Sequence, residues 1–471
     1  MNPSQPLPPL SRFAIAVRSG RSRWPAWTGA AVAVLLIVPI LSIAISMVTG
    51  DGGAWSHIAR TVLPDLIANS LLLAALVAVG VGLVGTICAW LTANHEFPGR
   101  TAFEWLLILP LAMPAYVMAY TYTDVLQYAG PLQTALRETF GWQLKTDYWF
   151  PEIRSLGGAA AMLTFVLYPY VYMLARVAFL EQSASMTEAG RTFGFGRMRI
   201  FWRISLPLAR PAIAAGIALA LMETLADYGT VSYFGVPTFT TGIFNAWFSQ
   251  GDRVSAGKLA MILLVFVVVI LLVEHAARRR ARFFQAGHRH ARAPLQGSMR
   301  WLASAACLFP LLIGFAVPTL ILIKLALVEG DATFGTRFIK LAFNSFGAAA
   351  LTALLAVCVA LLLAYAARLS DSLINRVVNR VVGLGYAIPG TVIAVGILIP
   401  VAQLDHGLVA MLESVSGASV PLLLTGSIAA LIYAYLIRFL GVALQSVEAG
   451  LTKITPSMDD AARSLGAGAA G

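Results

Sequence analysis

Residues 185–194 read Ser-Met-Thr-Glu-Ala-Gly-Arg-Thr-Phe-Gly, and residues 457–466 read Ser-Met-Asp-Asp-Ala-Ala-Arg-Ser-Leu-Gly. In both segments a Ser stands three residues before an acid, which is typical of a helix start. Small residues then lead to an Arg and a Gly that can end a short helix. Both segments lie in polar stretches beside long apolar ones. The repeat predicts one short helix that is used twice, at corresponding places of a duplicated chain.

The composition around these segments is that of an integral membrane protein. Of the 471 residues, 59% are apolar and 12% are charged, and a membrane-spanning helix needs roughly 20 apolar residues. We predict an all-α, polytopic fold with about ten transmembrane helices. The predicted spans are 28–48, 66–93, 103–128, 157–180, 206–230, 256–277, 302–328, 342–367, 379–402 and 419–446.

The duplication extends into the membrane segments. One interval separates both Asn69-Ser70 from Asn344-Ser345 and Met113-Pro114 from Ile388-Pro389. We therefore expect two parallel repeats, each with an extra helix before it. The predicted domains are a cytoplasmic tail at 1–27, a first half at 28–277, a basic cytoplasmic linker at 278–300 and a second half at 301–471.

The two halves differ in length after the short helix. The first half has two spans there, whereas the chain reaches Gly471 soon after the second copy. Internal symmetry would require two more spans. We therefore expect that the C-terminal end of the second half is missing and that the sequence is a truncated product or a fragment.

The net charge of +11 has two interpretations, a nucleic-acid patch or membrane topology. The tail at 1–27, the loop after span 157–180 and the 278–300 linker are all rich in Arg, whereas the 129–155 loop balances three basic residues with three acids. This asymmetry is the positive-inside pattern. It favours a cytoplasmic N-terminus and argues against a nucleic-acid partner.

The first copy continues to Ile204-Ser205-Leu206-Pro207, and the whole segment resembles the cytoplasmic coupling loop of ATP-binding-cassette (ABC) importer permeases. We call residues 183–196 and their counterpart after span 419–446 the first and second coupling loops. By this resemblance the ATPase-coupling residues are Glu188, Ala189, Gly190, Gly194, Leu206, Pro207, Asp460, Ala461, Ala462 and Gly466. The alternative is that Ser185 and Glu188 only form a capping box.

A second informative stretch runs from Glu223 to Pro237 and contains two acids and two tyrosines. Ionisable groups inside a membrane usually face a cavity or a partner, although acids and tyrosines also gather at the membrane surface. The stretch resembles the ferric-iron branch of the ABC permeases, with thiamine, phosphonate, sulfate and polyamine permeases as near relatives. Hard Fe³⁺ favours oxygen ligands. The candidate translocation-pathway residues are Glu223, Asp227, Tyr228, Tyr120 and Asp124; no metal site can be assigned.

The resemblance also implies partners. These are two copies of a cytoplasmic ABC ATPase, a periplasmic substrate-binding protein and the lipid bilayer of a bacterial inner membrane. No phosphate-binding loop is present in the sequence, so we expect a permease subunit without catalytic residues or a bound cofactor, with ATP and Mg used by the partner ATPase. The main rival is a secondary transporter driven by an ion gradient, which would need no coupling loop.

The topology can be tested with reporter fusions. A reporter near Arg292 is expected to be cytoplasmic and one near Lys145 periplasmic, because the basic linker stays inside. The measurement is the activity of compartment-specific reporters, such as alkaline phosphatase and a fluorescent protein. The reverse pattern would overturn the orientation and the assignment of both coupling loops.

Overall fold

The computed structural model describes residues 24–49, 53–182, 190, 192–279, 292–328, 335–369, 373–451, 458 and 464. Within these ranges, regular structure is helical apart from two short strands, β1 (His95–Glu96) and β2 (Ala293–Pro294), which pair in parallel. The helices are α1 Trp24–Thr49, α2 Trp55–Asn94, α3 Arg100–Leu106, α4 Ala115–Leu126, α5 Pro131–Phe140, α6 Leu156–Leu180, α7 Met198–Ala226, α8 Gly229–Tyr233, α9 Phe239–Phe244, α10 Arg253–Arg279, α11 Ser298–Val328, α12 Thr336–Leu369, α13 Leu373–Leu384, α14 Gly390–Ser416 and α15 Ile428–Leu451. The all-α polytopic class is confirmed.

Eight of the described helices are long and apolar enough to cross a membrane: α2, α6, α7, α10, α11, α12, α14 and α15. The chain from Arg100 to Phe140 counts as a ninth span if its bent pair of helices is taken as one. The remaining predicted span, 28–48, corresponds to α1, whose apolar stretch Ala31–Ile45 is shorter.

Two of the predicted spans, 103–128 and 379–402, are interrupted at a proline. Met113 is extended (φ −91°, ψ 115°), and the chain bends by 89° between its two helical parts. The cause is Pro114, because proline disfavours helical backbone at the residue before it. In the second half α13 ends at Leu384 and α14 begins at Gly390, on either side of Pro389.

The chain forms two compact units. We call residues 43–338 with 389–395 the first unit, and the residues up to 42, 339–388 and 396–471 the second unit. This grouping does not keep the extra helices with the halves they precede. The helix α11 belongs to the first unit, where the Tyr122 hydroxyl donates to the Ile313 carbonyl at 2.8 Å. Most of α1 belongs to the second unit.

In the second unit, close backbone packing joins α1, α13, α14 and α15. A Cβ on Gly396 would lie 2.5 Å from the Pro39 carbonyl oxygen, and one on Gly441 would lie 2.7 Å from that of Val382. The buried carboxylate of Asp405 on α14 accepts three backbone N–H groups from residues 423–425, at 2.8, 3.1 and 2.8 Å. These bonds fold the segment before α15 back onto α14.

In the first unit, α6 is packed between α2 and α7 through two glycines. A Cβ on Gly85 of α2 would lie 2.7 Å from Val171 Cβ, and one on Gly216 of α7 would lie 2.6 Å from Val171 Cα. Val171 itself is fully buried. Small residues of this kind let membrane helices approach closely, so α6 is fixed by contacts on both sides.

We expect Gly85→Val and Gly216→Val each to destabilise the protein by about 1–3 kcal/mol, because the added carbons overlap α6. The measurement is the thermal denaturation temperature of the detergent-solubilised protein. Gly347→Val is the matched control, since a Cβ at this helical glycine has no neighbour within 4 Å. Equal denaturation temperatures for all three variants would contradict the packing described for α6.

Candidate functional site

The first coupling loop is held at both ends by α6 and α7. After α6 ends at Leu180, the buried side chain of Gln182 donates from Nε2 to the Ser205 carbonyl at 2.8 Å. Ser205 lies in a π turn of α7, Phe201–Ser205, whose Phe201 ring packs against Trp90 with centroids 4.7 Å apart. Leu206 and Pro207 follow directly and are half-buried. The entry and exit of the loop are therefore fixed to each other.

The end of the loop helix has the predicted glycine cap. Gly194 has φ +74°, a left-handed conformation that glycine adopts without strain. The N–H of Phe195 donates to the Gly190 carbonyl at 3.0 Å, which is the long-range hydrogen bond of a Schellman cap. A Cβ on the buried Gly190 would lie 2.8 Å from Ile204 Cδ1. The prediction that Gly194 ends a helix is thus confirmed, with Gly190 placing this turn against α7.

The same region presents large apolar side chains to its surroundings. Phe193, Met198 and Trp202 are 77%, 60% and 59% exposed. The guanidinium groups of Arg199 and Arg203 lie 5.5 and 5.7 Å from the ring centroid of Phe195. An exposed apolar patch with a basic border is typical of a protein-interaction surface.

The other predicted coupling residues, Glu188, Ala189, Asp460, Ala461, Ala462 and Gly466, lie outside the described residues. The roles of all ten coupling residues remain a prediction.

Asp227, a predicted pathway residue, has a structural role at the start of α8. Its carboxylate accepts the backbone N–H groups of Thr230 and Val231 at 3.0 and 3.1 Å, and the Thr230 hydroxyl at 3.0 Å. Its backbone carbonyl accepts the Thr240 hydroxyl at 2.7 Å. Such bonds satisfy backbone donors at a helix N-terminus. Sequence reasoning missed this cap, although Asp is one of the residue types that commonly precede a helix start.

The remaining pathway candidates lie around α8. The ring of Tyr228 stacks on Phe244 at 3.9 Å, and Tyr120 of α4 meets Tyr233 of α8 edge-on at 6.3 Å. Asp124 follows Tyr120 by one helical turn, on the same face of α4. Glu223 lies one turn before Asp227 and interacts with it electrostatically. The structure therefore places Tyr120, Asp227 and Tyr228 at one short helix, with Asp124 and Glu223 one helical turn away from Tyr120 and Asp227 along the chain.

This assembly does not form a metal cage. Among the described residues, no group of three or more His, Cys, Asp or Glu side chains is placed to hold a metal ion. Two tyrosine rings of the assembly are engaged in aromatic contacts, and the Asp227 carboxylate accepts three hydrogen bonds. The arrangement is a packed support for α8 that also contains two further acids.

The fold and the capped loop define a polytopic membrane protein with a polar loop helix between two spans. Residues 82–282, which contain that loop, match the family described as the binding-protein-dependent transport system inner membrane component. The predicted resemblance to binding-protein-dependent permeases is thereby confirmed.

Individual relatives are transport permeases. The Fe(3+)-transport system permease protein of Haemophilus influenzae is 27% identical over 349 residues, covering 72% of this chain and 64% of that protein. A second protein of that organism, described as a ferric transport system permease, is 24% identical over 462 residues, covering 91% and 69%. The sulfate transport system permease protein of Salmonella typhimurium is 30% identical over 164 residues, covering 34% and 56%. The chain thus spans less than two thirds of the length of the Fe(3+)-transport permease and of the sulfate permease.

The role of Asp227 can be tested by removing its side chain. Asp227→Ala is expected to destabilise the protein by about 1 kcal/mol, the usual effect of losing a helix cap. Thermal denaturation in detergent measures this effect, with Asp65→Ala at an exposed position of α2 as the control. An unchanged denaturation temperature together with lost transport would instead support a pathway role.

Proposed function

We propose that the protein is the transmembrane permease subunit of an ABC importer, and that it passes ferric iron, delivered by a periplasmic binding protein, into the cytoplasm. The observation that carries the proposal is the glycine cap at Gly194 between α6 and α7, inside the segment that matches the permease family. Two copies of a cytoplasmic ATPase would supply ATP hydrolysis, so this subunit is not an enzyme. The N-terminus would be cytoplasmic and the membrane the bacterial inner membrane.

A mechanical role suits the geometry of the loop. A lever must be joined firmly to the membrane helices. The residues flanking the first coupling loop are joined by the Gln182–Ser205 hydrogen bond, and Gly194 caps its last helical turn. The exposed Phe193, Met198 and Trp202 would supply apolar contact area for the ATPase. A secondary transporter has no ATPase partner and would not need this exposed apolar surface.

Two similar ferric permeases support iron as the substrate. The sulfate permease relative supports the main alternative, an oxyanion importer, while thiamine, phosphonate and polyamine remain candidates from the sequence resemblance. The deciding measurement is uptake of radiolabelled ferric iron in cells lacking their own ferric permease, with sulfate uptake measured in parallel. Sulfate uptake without iron uptake would reject iron as the substrate.

The coupling role makes a sharper prediction. Gly194→Val is expected to abolish substrate-stimulated ATP hydrolysis by the assembled complex, because a β-branched residue at φ +74° is strained and would displace the end of the loop helix. Membrane insertion is expected to be unchanged.

Gly141→Val is the matched control. Gly141 has φ +72° and caps α5 with the same type of hydrogen bond, from Trp142 N–H to the Arg137 carbonyl at 3.0 Å. Gly141 precedes α6, whereas the first coupling loop follows it. Gly141→Val therefore introduces a similar backbone strain far from the coupling loop. Stimulation that survives Gly194→Val would contradict the lever role of this loop.

A further inference from the structure

A cluster of charged side chains joins α3 to the end of α6. The carboxylate of Glu104 on α3 accepts a hydrogen bond from Arg100 and lies 2.8 Å from the guanidinium of Arg176 on α6. The Tyr172 hydroxyl, one turn earlier on α6, donates to the Glu104 backbone carbonyl at 3.2 Å. Glu104 is therefore bound to α6 through both its side chain and its backbone.

The C-terminal part of the basic linker reaches the same cluster. Arg292 lies 3.6 Å from Glu104 and 3.6 Å from Glu96, and its Nε donates to the Ala93 carbonyl at 3.3 Å. The strand pair β1–β2 holds Arg292 beside this cluster. Glu104 thus has three arginine neighbours and neutralises part of their charge.

This cluster is placed to act on the first coupling loop. Arg176 precedes the last residue of α6 by one turn, and the loop begins after that residue. The side chains of Glu104 and Arg176 are only 17% and 22% exposed, so solvent screens their attraction less than that of a surface pair. Any tilt of the end of α6 must move α3 with it or break this contact.

The second unit has a contact at the corresponding place with different chemistry. Asn379 on α13 donates from Nδ2 to a carboxylate oxygen of Glu448 on α15 at 2.6 Å. Glu104 and Asn379 are separated by the same interval as Asn69 and Asn344. Arg176 and Glu448 are separated by the same interval as Ser185 and Ser457. The two pairs therefore stand at equivalent positions of the repeat. In the first unit an acid pairs with an arginine, and in the second unit an amide pairs with an acid. Both pairs join a short helix to the helix that enters a coupling loop.

The change of chemistry makes chance packing a poor explanation. Both residues of the pair differ between the halves, yet each pair remains complementary, because Arg can donate to Glu104 as the amide of Asn379 donates to Glu448. Apolar residues could join these helices without a matched donor and acceptor. A polar contact between two elements also fixes their relative orientation, which apolar packing leaves freer.

We propose that the pairs Glu104–Arg176 and Asn379–Glu448 are positioning residues, which hold the helix entering each coupling loop to the preceding short helix so that the loop transmits ATP-driven movement. This inference rests on the proposed function as an ABC permease. In this role the pairs do not touch substrate or ATP. Their loss is expected to leave the protein inserted and bound to the ATPase, while the helix entering each loop is no longer held to its short helix.

The experiment uses the full complex of permease, ATPase and binding protein in proteoliposomes. Arg176→Ala and Glu448→Ala remove one partner of each pair. The conservative variants Arg176→Lys and Glu448→Gln keep a donor and an acceptor, respectively. Lys145→Ala is the control, because it breaks an exposed ion pair with Glu152 near the other end of α6, about 37 Å from the coupling-loop end at 1.5 Å per residue.

Basal ATP hydrolysis, substrate-stimulated hydrolysis and the amount of co-purified ATPase are measured for each variant. Each alanine variant is expected to lower the ratio of stimulated to basal hydrolysis by about three-fold or more, the scale of couplings between contacting residues. Co-purification of the ATPase is expected to persist. The conservative variants and Lys145→Ala are expected to keep the ratio of the unsubstituted complex.

The chain also offers an exchange of the two pairs. Glu104→Asn with Arg176→Glu places the chemistry of the second unit in the first, and Asn379→Glu with Glu448→Arg does the reverse. Both exchanges are expected to keep the stimulation of the unsubstituted complex. Arg176→Glu alone and Asn379→Glu alone each set two acids against each other and are expected to lose it, so these single variants replace the alanine variants if those are not recovered from membranes.

The outcomes separate the two levels of the proposal. No substrate stimulation in the unsubstituted complex would overturn the proposed function itself. Stimulation that persists in both alanine variants, or equal loss in the alanine and conservative variants, would overturn only the positioning role. Exchanged pairs that insert and bind the ATPase but lack stimulation would overturn it as well.

Discussion

The close packing of α6 between α2 and α7 is the constraint on which the first unit depends. Val171 fills the space beside Gly85 and Gly216, so the axis of α6 is set by backbone contacts rather than by long side chains. Lipid supplies no hydrophobic force between helices, and close approach through small residues is the available alternative. Because α6 is fixed there, its C-terminal end can present Arg176 to Glu104 and lead into the first coupling loop in a defined direction.

Proline has the complementary effect of ending helices where the sequence remains apolar. At Pro114 and Pro389 the preceding residue is disfavoured from continuing a helix, and each interruption separates a short helix, α3 or α13, from the next helix. These short helices carry Glu104 and Asn379. The same residue type that interrupts a span therefore creates the element to which the helix entering each coupling loop is bound. Backbone groups freed at such breaks need partners from the protein.

The acids of this protein separate into structural groups and candidates for function. Asp227 and Asp405 each accept several backbone or hydroxyl donors and so stabilise turns. Their negative charge is matched by donors within the same unit, which is what a buried carboxylate requires. Glu223 and Asp124, by contrast, stay candidates for function, one helical turn from Asp227 and Tyr120 along the chain. The ferric-iron proposal thus depends on similar permeases and on uptake measurements more than on a ready-made set of iron ligands.

The sequence alone determined the helical class, most of the spans and the glycine cap at Gly194. The length of an apolar segment, the residues that start and end a helix, and the conformational freedom of glycine are all local properties. It also revealed the duplication, since matched intervals are visible without coordinates. Only the tertiary structure decided that α11 belongs with the first unit, that Asp227 caps α8, and that Glu104 meets Arg176 and Asn379 meets Glu448. These facts depend on which helix faces come together across long intervals of chain, and hydropathy is nearly uniform around a membrane helix, so no periodic pattern records those faces.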